Sequence, residues 1–196
     1  MTNTATPSYR VDVQSRSVGG SLQNDVAYLE EATKNDMPSD NSPNWNCNWI
    51  EFWQKADFDC EAIIKLSFRE ELLGLIRFAL YPFYGDITPP EYLEILHLEC
   101  LPRQNRNCNP VGFWLIWYAC QVSLNYCVGD DDGTLIRLDA LDSAISYYEN
   151  KVQMIGLGWT TYPGTGESVY AFSFTKQSAQ QFCFRIEQRY GSPLQC

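Results

Sequence analysis

The fold is decided by Glu91-Tyr92-Leu93-Glu94-Ile95-Leu96-His97-Leu98-Glu99-Cys100-Leu101-Pro102, the polar loop Arg103-Gln104-Asn105-Arg106-Asn107-Cys108-Asn109-Pro110, and Gly112-Phe113-Trp114-Leu115-Ile116-Trp117-Tyr118-Ala119. The first segment alternates around Leu96, Leu98 and Cys100 and stops at a proline, which predicts a buried strand. The loop has turn chemistry and carries two cations. The last segment is apolar, long and free of internal Gly or Pro, as a buried helix is. A strand that empties through a cationic loop onto a helix N-terminus is an anion-binding device, because unpaired N–H groups and the positive end of the helix dipole face the loop.

Upstream, Ala62–Phe68 and Leu72–Tyr81 read as a β-hairpin with the charged tip Arg69-Glu70-Glu71. Before it come a polar leader to Pro7, expected to be disordered, and a first strand over Tyr9–Val13. A short helix is predicted over Asp25–Lys34 with Asn24 as its cap, then a long loop over 35–46. Trp45, Trp49, Phe52 and Trp53 predict a helix of two or three turns. Downstream, Val128–Gly133 reads as a solvated, helix-ending turn, since its three aspartates lack the spacing of a calcium loop. Thr134–Ala140 is a predicted strand, Asp142–Asn150 a helix capped by Asp142, Thr160–Glu167 a loop and Ser168–Phe174 the last strand. The amphipathic tail Lys176–Glu187 predicts a helix ending at Gly191, suited to a lid or a dimer element.

A chain of 196 residues with 45% hydrophobic content fits one domain with a full core. No run reaches the length of a membrane span and no signal-peptide layout is present, so a soluble cytoplasmic protein with no membrane partner is expected. The net charge of −10 argues against nucleic acid and agrees with a cationic or amine ligand. Eight cysteines without a C-x-x-C pair, and one histidine, make a metal site improbable; Cys120 and Cys127 read as buried reduced thiols.

The central stretch resembles the GNAT superfamily of CoA-dependent N-acyltransferases. Leu98-Glu99-Cys100-Leu101-Pro102 matches the family's strand end. Gly112 with Leu115, Ile116 and Ala119 matches its second loop glycine and helix. Gly74 matches the hairpin glycine, and Ala144, Tyr148 and Glu149 match the later helix. The loop departs from the pattern: Pro110 stands at the first glycine, Asn107 at the basic position, and Arg106 is one residue upstream.

The resemblance implies an α/β fold, GNAT-like, with a mixed, mostly antiparallel central sheet flanked by helices, formed by residues 1–196 with 175–196 as a helical extension. It implies acyl transfer from acetyl-CoA, or another acyl-CoA, to the amine of a small molecule or peptide, without a metal. CoA would lie between the ends of the strands holding Glu94–Leu101 and Leu135–Ala140. Cys100 and Leu101 would face the pantetheine, and Arg106, Asn107, Asn109, Val111 and Gly112 the pyrophosphate. Pro110 supplies no N–H. For the base, Glu94 and His97 are the candidates; strict alternation puts them on opposite faces unless a bulge intervenes. Tyr148 is the expected acid and Tyr147 a core residue. With its loop altered, the same fold would instead serve as a non-catalytic ligand-binding or protein-interaction module.

Overall fold

The computed structural model describes residues 6–17, 19–39, 42–82, 88–129, 132–162 and 165–196. The leader over residues 1–5 and Asp130 and Asp131 of the expected turn lie outside them. The elements in chain order are β1 (Tyr9–Arg16), β2 (Leu22–Glu31), α1 (Trp49–Lys55), β3 (Glu61–Phe68), β4 (Glu71–Tyr81), β5 (Tyr92–Cys100), β6 (Cys108–Asn109), α2 (Gly112–Tyr126), β7 (Ile136–Ala140), α3 (Ile145–Tyr147), β8 (Ile155–Thr161), β9 (Ser168–Phe174), α4 (Lys176–Tyr190) and β10 (Leu194–Gln195). The strands among the described residues form one sheet in the order β10-β1-β2-β3-β4-β5-β7-β9-β8, with β6 paired to β1. Every pairing is antiparallel except β5 with β7.

The hairpin β3–β4 forms as its sequence requires. Phe68 pairs with Glu71 across a two-residue turn, with Arg69 and Glu70 at φ 53° and 65°. Both central residues at positive φ match the twist of the flanking strands, although neither is the usual Gly or Asn. The predicted helix over Asp25–Lys34 is not formed. That stretch is β2, with Ala27 and Leu29 buried in alternation and paired to β1 and β3; a short 3-10 turn, Lys34–Asp36, follows it. Asn24 pairs with Gln14 instead of capping. Two flanking ladders override a local helix signal here.

The sheet has two unlike faces. Ile76, Phe78, Leu93, Ile95, Ile136, Leu138 and Phe172 pack with α2 and α4 in the main core. Ile63 and Leu75 face the other way and pack with Trp49 of α1 in a smaller cluster. α2 is apolar nearly all round, and so is covered on both sides. Its indole and phenol groups each find a partner: Trp114 Nε1 donates to the Asp12 carbonyl at 2.9 Å, Trp117 Nε1 to Glu187 Oε1 at 2.8 Å, and the Tyr118 hydroxyl to the Pro7 carbonyl at 2.8 Å. The tail helix α4 packs on α2 through Ala179, Phe182, Cys183 and Ile186, and ends at Gly191 with φ 103°. No described helix is long and apolar enough to cross a membrane, which says nothing about strands.

Asp142 does not act as a cap. It is the first residue of a 3-10 turn, Asp142–Ala144, which runs into α3 and then a π turn, Tyr148–Val152, with Leu141 before it and no side-chain cap. Residues Ile155–Thr161 form β8, so the expected loop starts two residues later than Thr160.

Candidate active site

The site is built on β5. Its ladder with β4 pairs Phe78 with Ile95 and Arg77 with His97, leaving Leu96 as an extra residue. This bulge resets the alternation. Glu94, opposite Ala79, therefore shares a face with His97, opposite Arg77, and with Glu99, opposite Leu75. Strict alternation separates Glu94 from His97; the bulge brings them together on the α1 side. Leu98 and Cys100 turn to the main core in exchange.

On its other edge β5 pairs with β7 only at Leu93–Ile136, Glu94–Arg137 and Ile95–Leu138. Beyond that point the strands part, and no ladder holds the β7 side of Leu96–Cys100 among the described residues. The fork opens where Glu94 and His97 stand, and its far end meets the start of α2.

Each polar group here has a definite setting. Burial raises the Glu94 carboxyl above the usual carboxylate range; Arg137 opposes the shift and Asp139 adds to it. His97 stacks on Phe52, with ring centroids 3.7 Å apart. Burial, then the Arg77 charge, pushes its imidazole down to about 4, and its Nδ1 is buried without a hydrogen-bond partner. Arg77 is held by Glu61, with Nε 2.6 Å from Oε2. Glu99 is structural: it accepts from the Asn46 and Cys47 backbone and from Trp49 Nε1 at 2.9 Å, fixing the approach to α1. Asn48 caps that helix through the Glu51 N–H.

At the α2 end, two glycines allow close approach. A Cβ on Gly74 would lie 2.7 Å from Val111 Cγ1 and 2.8 Å from Leu115 Cδ1; one on Gly112 would lie 2.7 Å from the Tyr147 hydroxyl. The α2 N-terminus has no side-chain cap, so its first N–H groups remain available. Arg106 turns back over the strand end, with one terminal nitrogen 3.3 Å from the Leu101 carbonyl and its guanidinium facing the Cys100 thiol. Its Nε is buried without a partner. An orphaned guanidinium N–H and an uncapped helix start fit an anionic group such as the CoA pyrophosphate, while the space over Gly112 is taken by the Tyr147 hydroxyl.

The remaining predicted residues divide. Cys100, Leu101, Val111 and Gly112 converge on this end of the fork. Asn107 and Asn109 are drawn toward β1: the Asn107 carbonyl accepts from Arg16 N at 3.0 Å, and Asn109 pairs with Gln14. Pro110 is buried. Tyr148 is buried against Phe172, and burial raises its hydroxyl far above the ordinary value, with the Cys100 thiol adding to the shift. Tyr147 packs against the main core as expected, stacking on Phe113, and also sets its hydroxyl over Gly112. Arg137 and Asp139 were not singled out by sequence; both are charged residues on the Glu94 face of β7.

All eight cysteines are free thiols, and no group of three or more His, Cys, Asp or Glu among the described residues is placed to hold a metal ion. A cavity of about 390 Å³ lies at the opposite end of α2, lined by Tyr9, Tyr118, Gln121 and Tyr126 among others. It shares no residue with the fork.

Known structures repeat this arrangement of sheet and helices. The aminoglycoside acetyltransferase AAC(6')-Ib, solved with coenzyme A and kanamycin, aligns at TM-score 0.54 and 15% identity over 79% of this chain and 98% of its own. The chain has the GNAT fold. An uncharacterized Bacillus halodurans protein aligns at TM-score 0.59 and 10% identity over 94% of this chain and 98% of its own. The GNAT domain of S. lividans PAT aligns at TM-score 0.50 and 13% identity over 85% of this chain and 96% of its own. No protein-family model and no curated protein matches the sequence. At these identities the likeness is one of fold, so what this chain does must come from its own residues.

Proposed function

We propose that this protein is an acyl-CoA-dependent N-acyltransferase, with acetyl-CoA as the donor and an amine as the acceptor. One observation carries the reading: Glu94, its carboxyl pKa raised by burial, stands where β5 and β7 part, and the same fork ends at the uncapped start of α2. A base with a raised pKa and an anion site thereby lie along one parting of strands.

Arg106, Val111 and the N–H groups from Gly112 onward would hold the pyrophosphate, and the β5 end at Cys100 and Leu101 would face the pantetheine arm, with the Leu101 N–H itself taken by the Leu73 carbonyl. The thioester supplies an activated acyl carbon and a thiolate leaving group. Glu94 accepts a proton from the acceptor nitrogen as the N–C bond forms and the C–S bond breaks. Tyr148 donates to the departing sulfur and recovers its proton from Glu94 through solvent. Burial keeps the Tyr148 hydroxyl protonated at any working pH, and by the same shift makes it a weaker acid toward the departing thiolate. His97 would be neutral throughout and packs against Phe52, which favours a positioning role over that of base.

A second reading, a GNAT-fold binding module, has one observation in its favour. The loop is stitched to β1 through Cys108 and Asn109, and Pro110 brings no N–H to the groove. Thiol release from acetyl-CoA in the presence of primary amines separates the two. An enzyme releases thiol in an amine-dependent way, and Glu94→Gln lowers that rate at least about a hundredfold. A module binds without turnover, and Glu94→Gln then changes nothing.

A further inference from the structure

The Glu94 face carries side chains that the chemistry above leaves unused. Arg137 is the β7 partner of Glu94, and Asp139 lies two residues on, along the same face. Leu138 makes the last pair between these strands, so Asp139 is the first β7 residue past the parting. His97 is its counterpart on β5. Asp139 Oδ1, Arg137 Nε and His97 Nδ1 are all buried without a hydrogen-bond partner. The nearest Arg137 nitrogen is 3.8 Å from Asp139 Oδ1, too far for a hydrogen bond. Buried polar atoms are normally satisfied by protein, water or ligand, and three such atoms on one face mark a polar spot that a donor or acceptor from outside the protein completes.

The charges say what kind of partner. Arg77 is neutralised by Glu61 at 2.5 Å. Glu94 and Asp139 together bring two negative charges, Arg137 returns one positive charge, and His97 is neutral near pH 7. One negative charge is left to be met by a cation. The walls are aromatic: Phe52 lies on His97, and Tyr81 and Tyr92 stack at 5.7 Å in the row beside Ala79 and Glu94. Ala79 is the β4 partner of Glu94 and is fully buried beneath this row.

We propose that Asp139 binds the acceptor: its free carboxylate oxygen accepts a hydrogen bond from the substrate's ammonium at the mouth of the fork, and the acceptor is a primary amine with an apolar or aromatic body. This rests on the acyltransferase reading. Asp139 aims the nitrogen; the ammonium sheds its first proton to solvent, and Glu94 takes the second as the N–C bond forms. Arg137, between the two carboxylates, favours the charged form of Glu94 against its burial.

The test measures thiol release from acetyl-CoA with 2-phenylethylamine, butylamine, 1,4-diaminobutane and spermidine, alongside calorimetric binding of acetyl-CoA. The wild type should use 2-phenylethylamine or butylamine with the lowest KM. Asp139→Asn should raise that KM tenfold or more with kcat within about threefold, and Asp139→Glu should recover part of the loss. Acetyl-CoA affinity should be the same in all three proteins, which also shows that the variants are folded. An unchanged KM in Asp139→Asn overturns the proposal. So does a protein that binds acetyl-CoA but uses none of the four amines, or that prefers spermidine. Failure to bind acetyl-CoA at all instead overturns the acyltransferase reading on which the proposal rests.

Discussion

Replacing His97 by phenylalanine keeps a ring against Phe52 and removes the titrating nitrogen. The native imidazole is pushed down to about 4 from an ordinary value near 6.5, first by burial and then by Arg77. Between those values the unfolded chain binds a proton that the folded one does not, so stability falls as pH drops from 6.5 toward 4 and is fully restored above 6.5. For the full shift, the loss from pH 7.5 to pH 4.5 is about 2.5 kcal/mol. Screening at the open edge of the ring trims this toward about 2 kcal/mol. Urea denaturation of both proteins at the two pH values gives the number as a difference of differences, in which the carboxylates common to both cancel. The variant should lose about 2 kcal/mol less than the wild type on acidification. Equal losses would mean that His97 is solvated or paired in the folded state, and the bulge-driven placement of the Glu94 face would be wrong.

Two further substitutions probe the other end of the fork and the acid. Gly74→Ala sets a Cβ 2.7 Å from Val111 Cγ1 and 2.8 Å from Leu115 Cδ1; overpacking of this kind should cost about 1–3 kcal/mol in urea denaturation and weaken acetyl-CoA binding by shifting the start of α2, and a neutral variant would deny that α2 is seated there. Tyr148→Phe should slow turnover roughly a hundredfold with acetyl-CoA affinity nearly unchanged. Unchanged turnover in single-turnover kinetics removes Tyr148 from the chemistry and points to Tyr147, whose hydroxyl lies over Gly112.

Much of the fold was legible in the sequence because its signals are local. The hairpin β3–β4, the strand Ser168–Phe174 and the buried helix from Gly112 follow from period, turn chemistry and the absence of breakers. Leu22–Glu31 was not legible: Ala27, Leu29, Glu30 and Glu31 suit a helix, and only the ladders to β1 and β3 make them a strand. The site was half legible. Glu94 and Arg106 stand out by position, but one extra residue at Leu96 decides which face His97 takes, and a bulge leaves no mark in the residue pattern. Asp139 and Arg137 read as ordinary charges on a half-buried strand. Their interest lies in orphaned atoms at a parting of strands, which exists only once β5 and β7 are placed side by side.

The central claim, that the fork and the start of α2 form a CoA site, is tested most directly by calorimetric titration of the wild type and Arg106→Ala with acetyl-CoA at low and moderate salt. The account predicts wild-type binding in the micromolar range, about −8 kcal/mol, and at least tenfold weaker binding by Arg106→Ala at low salt. The gap between the two proteins should narrow as salt rises, because the contribution of a side-chain charge is screened. No heat from the wild type at millimolar acetyl-CoA would contradict the claim, as would binding indifferent to Arg106.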